Sequence, residues 1–194
     1  MSRPISAADI LPLDQYEAVR PARRKALVEL KRDRRVAVGP YVTAYFECFD
    51  TMLHQIHEML RIEKGGAAQL EGELEAYNAL VPEGDELVAT VMVEIDDERL
   101  RHRVLSGLGG IEHAFSIEVG GDRVAGEAED DIDRTTADGK ASSVQFLHFR
   151  FAPDQVAAFR RPGAGAVLRI DHPNYGHMAA IPEPVRAALA ADFD

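Results

Sequence analysis

The stretch YNALVPEGDELVATVMVEIDDERL, residues 77–100, is where the reading of this chain turns. Up to Val81-Pro82 the apolar residues Leu70, Leu74, Tyr77 and Leu80 recur three or four positions apart, the spacing of a helix that buries one face. Beyond Pro82 the period becomes two. Leu87, Ala89, Val91, Val93 and Ile95 point one way and Val88, Thr90, Met92 and Glu94 the other, as a strand with a well-buried face requires. Asp96-Asp97 then caps a helix through Leu105, closed by Gly107, Gly109 and Gly110.

N-terminal to this switch, helical signals dominate. Asp14 reads as the N-cap of a helix through the thirties, with Pro21 starting it late or bending it. Gly39-Pro40 ends one element and starts the next, a helix predicted over Tyr41 to Glu63. Its apolar face is Val42, Tyr45, Phe49, Met52, Leu53, Ile56 and Leu60. Lys64-Gly65-Gly66 breaks it before a second helix that runs to Val81-Pro82, making a helical hairpin.

On the C-terminal side, strands are predicted over His113 to Val119, Val144 to Phe151, Val167 to Asp171 and His177 to Ile181. Short helices are predicted over Pro153 to Phe159 and Glu183 to Ala191, and the acidic stretch Gly126 to Ser143 reads as a long connection. The expected fold is α+β: an N-terminal helical hairpin packed on a mostly antiparallel sheet with short helices. At 194 residues the expectation is a single domain, helical over 1–82 and strand-rich over 83–194.

Composition narrows the function classes. A net charge of −11 repels phosphate backbones and anionic lipid, so neither nucleic acid nor membrane is an expected partner. The basic cluster Arg20, Arg23, Arg24, Lys25, Lys31, Arg32, Arg34 and Arg35 stands against that background; its expected role is to pair with the protein's own acids. Cys48 is the only cysteine, so an internal disulfide and a CxxC pair are both excluded. With no export signal and no long apolar run, the expected location is the cytoplasm.

Candidate chemistry centres on the helix predicted over Tyr41 to Glu63. Projected at helical pitch, Glu47, Thr51, His54, Glu58 and Arg61 fall within about 80° of one another, opposite the apolar face, where solvent is expected. His57 lies off this stripe. Glu47, His54 and Glu58, with Glu73 from the second helix, are the candidate ligands of a transition metal. The order His54, His57, Glu58 does not match zinc-protease helices, and no Glu-x-x-His pair is present. A secondary candidate is Asp171, His172 and Tyr175 in a segment whose Pro, Asn and Gly make a turn. Glu112-His113 and His148 read as structural or surface residues. The glycine runs lack phosphate-loop spacing, the acidic run from Glu127 to Asp133 lacks the glycine of a calcium loop, and Cys48 reads as an inert packing thiol.

Several runs together carry a resemblance: Gly39-Pro40, Phe46-Glu47, Gln55, Glu58-Met59-Leu60-Arg61, Glu63, Glu73, Tyr77-Asn78, Pro82, Ala89-Thr90 and Asp171-His172-Pro173. They resemble an uncharacterised bacterial family, a domain of unknown function of about this length. Its genes often neighbour those for rubrerythrin-like and heterodisulfide-reductase-like iron–sulfur proteins. The resemblance implies an accessory role in redox or peroxide metabolism. His54 and His57 depart from the family's usual pattern.

The leading expectation is therefore a cytoplasmic accessory or interaction protein whose helical hairpin presents a charged surface to a redox or iron–sulfur protein; no cofactor is predicted. The alternative is a metal-binding protein or metal-dependent enzyme built on the carboxylate and histidine cluster. A homo-oligomer is compatible with either.

Overall fold

A computed structural model describes residues 3–129, 135–136 and 139–194. After a 3-10 turn at Ala7–Asp9, the chain runs α1 (Leu13–Arg32), β1 (Arg35–Val38), β2 (Val42–Phe46), α2 (Phe49–Glu63), α3 (Gly66–Asn78) and β3 (Glu86–Val93). It continues with α4 (Glu98–Leu105), a 3-10 turn at Ile111–His113, β4 (Phe115–Val119), β5 (Asp122–Ala128) and β6 (Val144–Arg150). The last elements are α5 (Pro153–Arg160), β7 (Ala166–His172), β8 (Tyr175–Ile181) and α6 (Glu183–Ala190). The fold is α+β. Among the described residues eight strands form one sheet in the order β1-β2-β3-β6-β5-β4-β7-β8, and every neighbouring pair is antiparallel. Among the described residues no helix is long and apolar enough to cross a membrane.

The helix predicted over Tyr41 to Glu63 is corrected: its first part is strand β2, and α2 begins only at Phe49. Val42, Ala44 and Phe46 are buried in alternation, and β2 pairs on both sides, with β1 and β3. The helical projection of Val42 and Tyr45 was a coincidence of spacing that two waiting ladders overrode. Gly39-Pro40 accordingly sits in the β1–β2 hairpin turn. Gly39 takes φ 71°, and a Cβ there would lie 2.6 Å from the His177 ring, so only glycine fits.

Other boundaries shift for local reasons. Pro12 precedes α1, which puts Asp14 in the first turn, and Pro21 is accommodated inside the helix. His113 belongs to a 3-10 turn, and β4 starts at Phe115. Strand β5 covers part of the stretch read as a connection; Val124 is its only buried apolar side chain, so its alternation is invisible in the sequence. Asp130 to Arg134, Ala137 and Asp138, which belong to the predicted acidic connection, lie outside the described residues.

The sheet curls until β1 comes beside β8. Inner-face residues of all eight strands, including Val38, Ala44, Val91, Leu147, Val124, Ile117, Leu168 and Ile181, then share one apolar cluster with Leu105, Phe159 and Leu189 from the short helices. Tyr175 ties the curl together: its hydroxyl accepts from the Tyr41 and Val42 amides and donates to the Val38 carbonyl (2.8 Å). The α2–α3 hairpin packs on the outer face, where Met52, Ile56, Leu80 and Val81 gather around Val88 with Ile5 from the N-terminal segment.

Candidate functional site

Helix α2 begins where the backbone leaves β2. Cys48 is extended (φ −156°), and the Thr51 hydroxyl accepts from its amide (2.9 Å) and donates to its carbonyl, so Thr51 is spent on the helix start and is buried. Glu47, one residue earlier, lies outside the helix. It is buried and accepts from the Thr90 hydroxyl at 2.7 Å. The predicted stripe therefore loses its first two members to the β2–α2 junction.

Of its remaining members, His54 and Glu58 are partly covered by α1, while Arg61 pairs with that helix nearer the solvent. The Arg20 guanidinium grips Glu58 with two hydrogen bonds, 2.7 and 2.8 Å, and the Tyr16 hydroxyl donates to the same carboxylate at 2.6 Å. Arg20 foremost, and then the Tyr16 hydroxyl, hold the Glu58 carboxyl down at about 2, against the opposing effect of burial. The Tyr16 oxygen is 3.3 Å from His54 Nδ1, and burial, foremost among several effects, lowers the His54 pKa. Arg61 pairs with Glu17 of α1 at 2.7 Å. His57 is buried with both nitrogens used: Nδ1 donates to the Leu53 carbonyl (2.7 Å) and Nε2 accepts from the Leu11 amide (3.0 Å), with Tyr16 stacked on the ring. Tyr16 and Arg20 are the members that sequence reasoning missed. Arg20 stands in the sequence only as part of a basic cluster, and nothing near Tyr16 marks it as a partner of the central helix.

The four candidate metal ligands are not brought together. Glu47 faces Thr90, Glu58 is held by Arg20 and Tyr16, and Glu73 accepts from Gln69 (3.1 Å). Among the described residues no group of three or more His, Cys, Asp or Glu side chains is placed to hold a metal ion. The secondary candidates also diverge. Asp171 is exposed and pairs with Arg123; His172 bridges Gly109 and Asn174 backbone groups; Tyr175 is buried on the β1–β2 turn. They build the β7–β8 turn and its contacts.

What α1 leaves open is its outer side. In 20 residues this helix buries only Tyr16. Three of the cluster's cations are paired internally: Arg20 with Glu58, Arg32 with Glu29 and Asp33, and the buried Arg34 with Asp192. Arg23, Arg24, Lys25, Lys31 and Arg35 make no ion pair among the described residues. Between them Val28 stands 68% exposed. A groove of about 370 Å³ runs between α1 and α2, lined by Arg23, Leu27, Leu30, Asp50, Leu53 and His54. A second, of about 430 Å³, lies on the other flank beside Val28, Lys31, Arg35 and Tyr45.

The family "Protein of unknown function (DUF3501)" matches residues 4–193, which is nearly the whole of the fold described above. The chain belongs to the DUF3501 family. A crystal structure of a novel protein of unknown function from Burkholderia pseudomallei is similar to it at 34% identity and TM-score 0.91, over 99% of this chain and 100% of that one. No curated protein matches. Family membership thus carries the architecture, including the helical hairpin and the curled sheet, and leaves function to be argued from the surface.

Proposed function

We propose that this DUF3501 protein is a cytoplasmic accessory protein that docks an acidic face of a redox or iron–sulfur protein through helix α1. The observation that carries the reading is the free basic face of that helix. Five cations without ion-pair partners among the described residues are gathered on and just after one helix of a chain whose net charge is −11. Self-repulsion of that kind serves solubility, whereas a local patch of the opposite sign steers an acidic partner and orients it. Val28 and the flanking grooves supply apolar contact at the centre of the charged ring, the arrangement in which interfaces concentrate their affinity. The partner class rests on the resemblance alone, which implies genes that often neighbour those for rubrerythrin-like and heterodisulfide-reductase-like iron–sulfur proteins.

Titration calorimetry of the full chain against a purified rubrerythrin-like or iron–sulfur protein tests this. Saturable binding is expected, weakening roughly tenfold between about 50 and about 300 mM salt as charge steering is screened. The triple variant Arg24→Glu, Lys25→Glu, Lys31→Glu should keep its circular dichroism spectrum and lose binding. Undiminished binding by that variant would overturn docking through α1. Self-association of the native chain, abolished by the same variant, would make a second copy the partner instead.

A further inference from the structure

On the outer face of β3 and β6, Val88 and Phe146 lie under the α2–α3 hairpin. Further along that face is a cleft of about 600 Å³, lined by residues of β5 and β6, with His113 on its rim and no residue of the hairpin in its wall. His148, 9% exposed, lines it, and Glu86, 3% exposed, is buried behind that imidazole. A buried pair of this kind is commonly no more stabilising than an apolar pair of similar volume, and Val88 and Phe146 next to it show that apolar residues pack on this face.

The geometry gives the pair a direction. Glu86 Oε2 lies 3.0 Å from His148 Nδ1, so that nitrogen carries the proton and donates, which fixes the ring and turns Nε2 toward Glu129. Glu129 Oε1 is 3.6 Å from Nε2. Arg150 lies 3.8 Å from Glu86 and is paired with Glu127. Among the described residues, Glu86, Glu127 and Glu129 thus face one arginine and one histidine. With the imidazole neutral two negative charges are in excess, and with imidazolium one.

We propose that this cleft binds a small organic cation, an ammonium or amidinium group, seated against His148 Nε2 and Glu129. An anion would meet excess negative charge and an arginine already neutralised by Glu127. A metal ion needs about three or four converging donors, and no group of three exists among the described residues. An ammonium needs fewer acceptors, and 3.6 Å is too long for a direct hydrogen bond yet short enough for one donor to reach both atoms. The volume suits a small molecule.

Binding is coupled to a proton. To accept from the ligand, Nε2 must have lost its hydrogen. In the free protein the hydrogen bond to Glu86, and the charges of Glu86 and Glu129, hold the imidazolium to higher pH than usual, against burial and Arg150. Where the imidazolium is present, the ligand's charge therefore replaces it and the proton leaves to solvent. Among the described residues the titratable and charged groups around the ring are Glu86 of β3, Glu127 of β5, Glu129 just after it, Arg150 of β6 and His113.

The test is titration of the full chain with n-butylammonium chloride, against sodium chloride at equal ionic strength and at a pH where the free protein's His148 resonances report the imidazolium, while those resonances and the protons released are followed. Saturation is expected, with His148 converting to its neutral form and a proton released. Glu129→Gln, at a partly exposed position that leaves the buried pair intact, should weaken binding by roughly tenfold or more. Asp14→Asn, on α1, should not. No saturable change beyond sodium chloride, no proton release, or equal behaviour of the two variants would overturn the proposal. So would butyrate binding in place of the amine, or one-to-one zinc binding that displaces it, which would make this an anion or a metal site.

Discussion

Glu58 and Arg61 stand about one turn apart on α2, yet their surroundings differ sharply. The Glu58 and Arg20 side chains are 18% and 22% exposed, whereas Arg61 and Glu17 are 33% and 47% exposed. Glu58→Gln should cost about 1–3 kcal/mol at neutral pH, because it leaves Arg20 half-buried without its charge partner. Arg61→Gln should cost about 0.5 kcal/mol or less, because water screens that pair. The sign of the pH dependence follows from the depressed carboxyl. Its contribution is fully present above the ordinary value of 4.5 and is lost as pH falls toward about 2. Urea denaturation of both variants at pH 7 and pH 3 checks this: the penalty of Glu58→Gln should shrink at the lower pH. Equal costs for the two variants at pH 7 would mean that the Tyr16–Arg20–Glu58 network does not hold α1 in place. None of this was readable around Glu58 itself, because its partners Tyr16 and Arg20 come from another helix, 42 and 38 positions away.

At the scale of elements, the N-terminal segment is a strap with two fastenings. Asn78 clasps Ile5 through both its amide groups, 2.7 and 2.9 Å, and His57 Nε2 accepts from the Leu11 amide. Between them Ile5 closes the apolar cluster over Val88. Burial, foremost, lowers the His57 pKa against the hydrogen bond to the Leu53 carbonyl, and charging Nε2 would set its new hydrogen against the Leu11 N–H. The unfolded chain then binds the proton more readily than the folded one. Stability from this contact is complete above about 6.5 and declines as pH falls below it. Hydrogen exchange at the Leu11 amide, corrected for its intrinsic pH dependence, should speed up between about pH 7 and about pH 5. His57→Gln, which can keep an acceptor but cannot be protonated, should abolish that dependence. Unchanged protection in the native chain across this range would show that His57 is no fastening. In the sequence His57 was set aside for lying off the polar stripe. Its role appeared only when Leu11 and Tyr16 were placed against it.

For the whole molecule, β3 is the element that joins the parts. Leu87, Ala89, Val91 and Val93 enter the large inner cluster while Val88 enters the smaller one beneath the hairpin, so neither cluster is complete without this strand. A single unfolding transition is therefore expected in urea, coincident by circular dichroism and by tyrosine fluorescence, the chain having no tryptophan. A fragment ending at Pro82, which strips β2 of its β3 ladder, should show no cooperative transition. Two separated transitions, or a stably folded fragment, would show the helical part to be independent. The sequence by itself determined the α+β class, the strand character of β3, the hairpin of α2 and α3 and the Asp97 cap. Each is written in a period, a cap or a break within a few neighbouring residues, and local backbone preference is strong enough there to be decisive. Only the tertiary structure decided that Val42–Phe46 is a strand, that Glu47 is buried, which side of α2 meets water and that Glu86 pairs with His148 behind a cleft. Those outcomes depend on partners tens of residues distant in the chain, and a side chain's periodicity states that a face exists without stating what covers it.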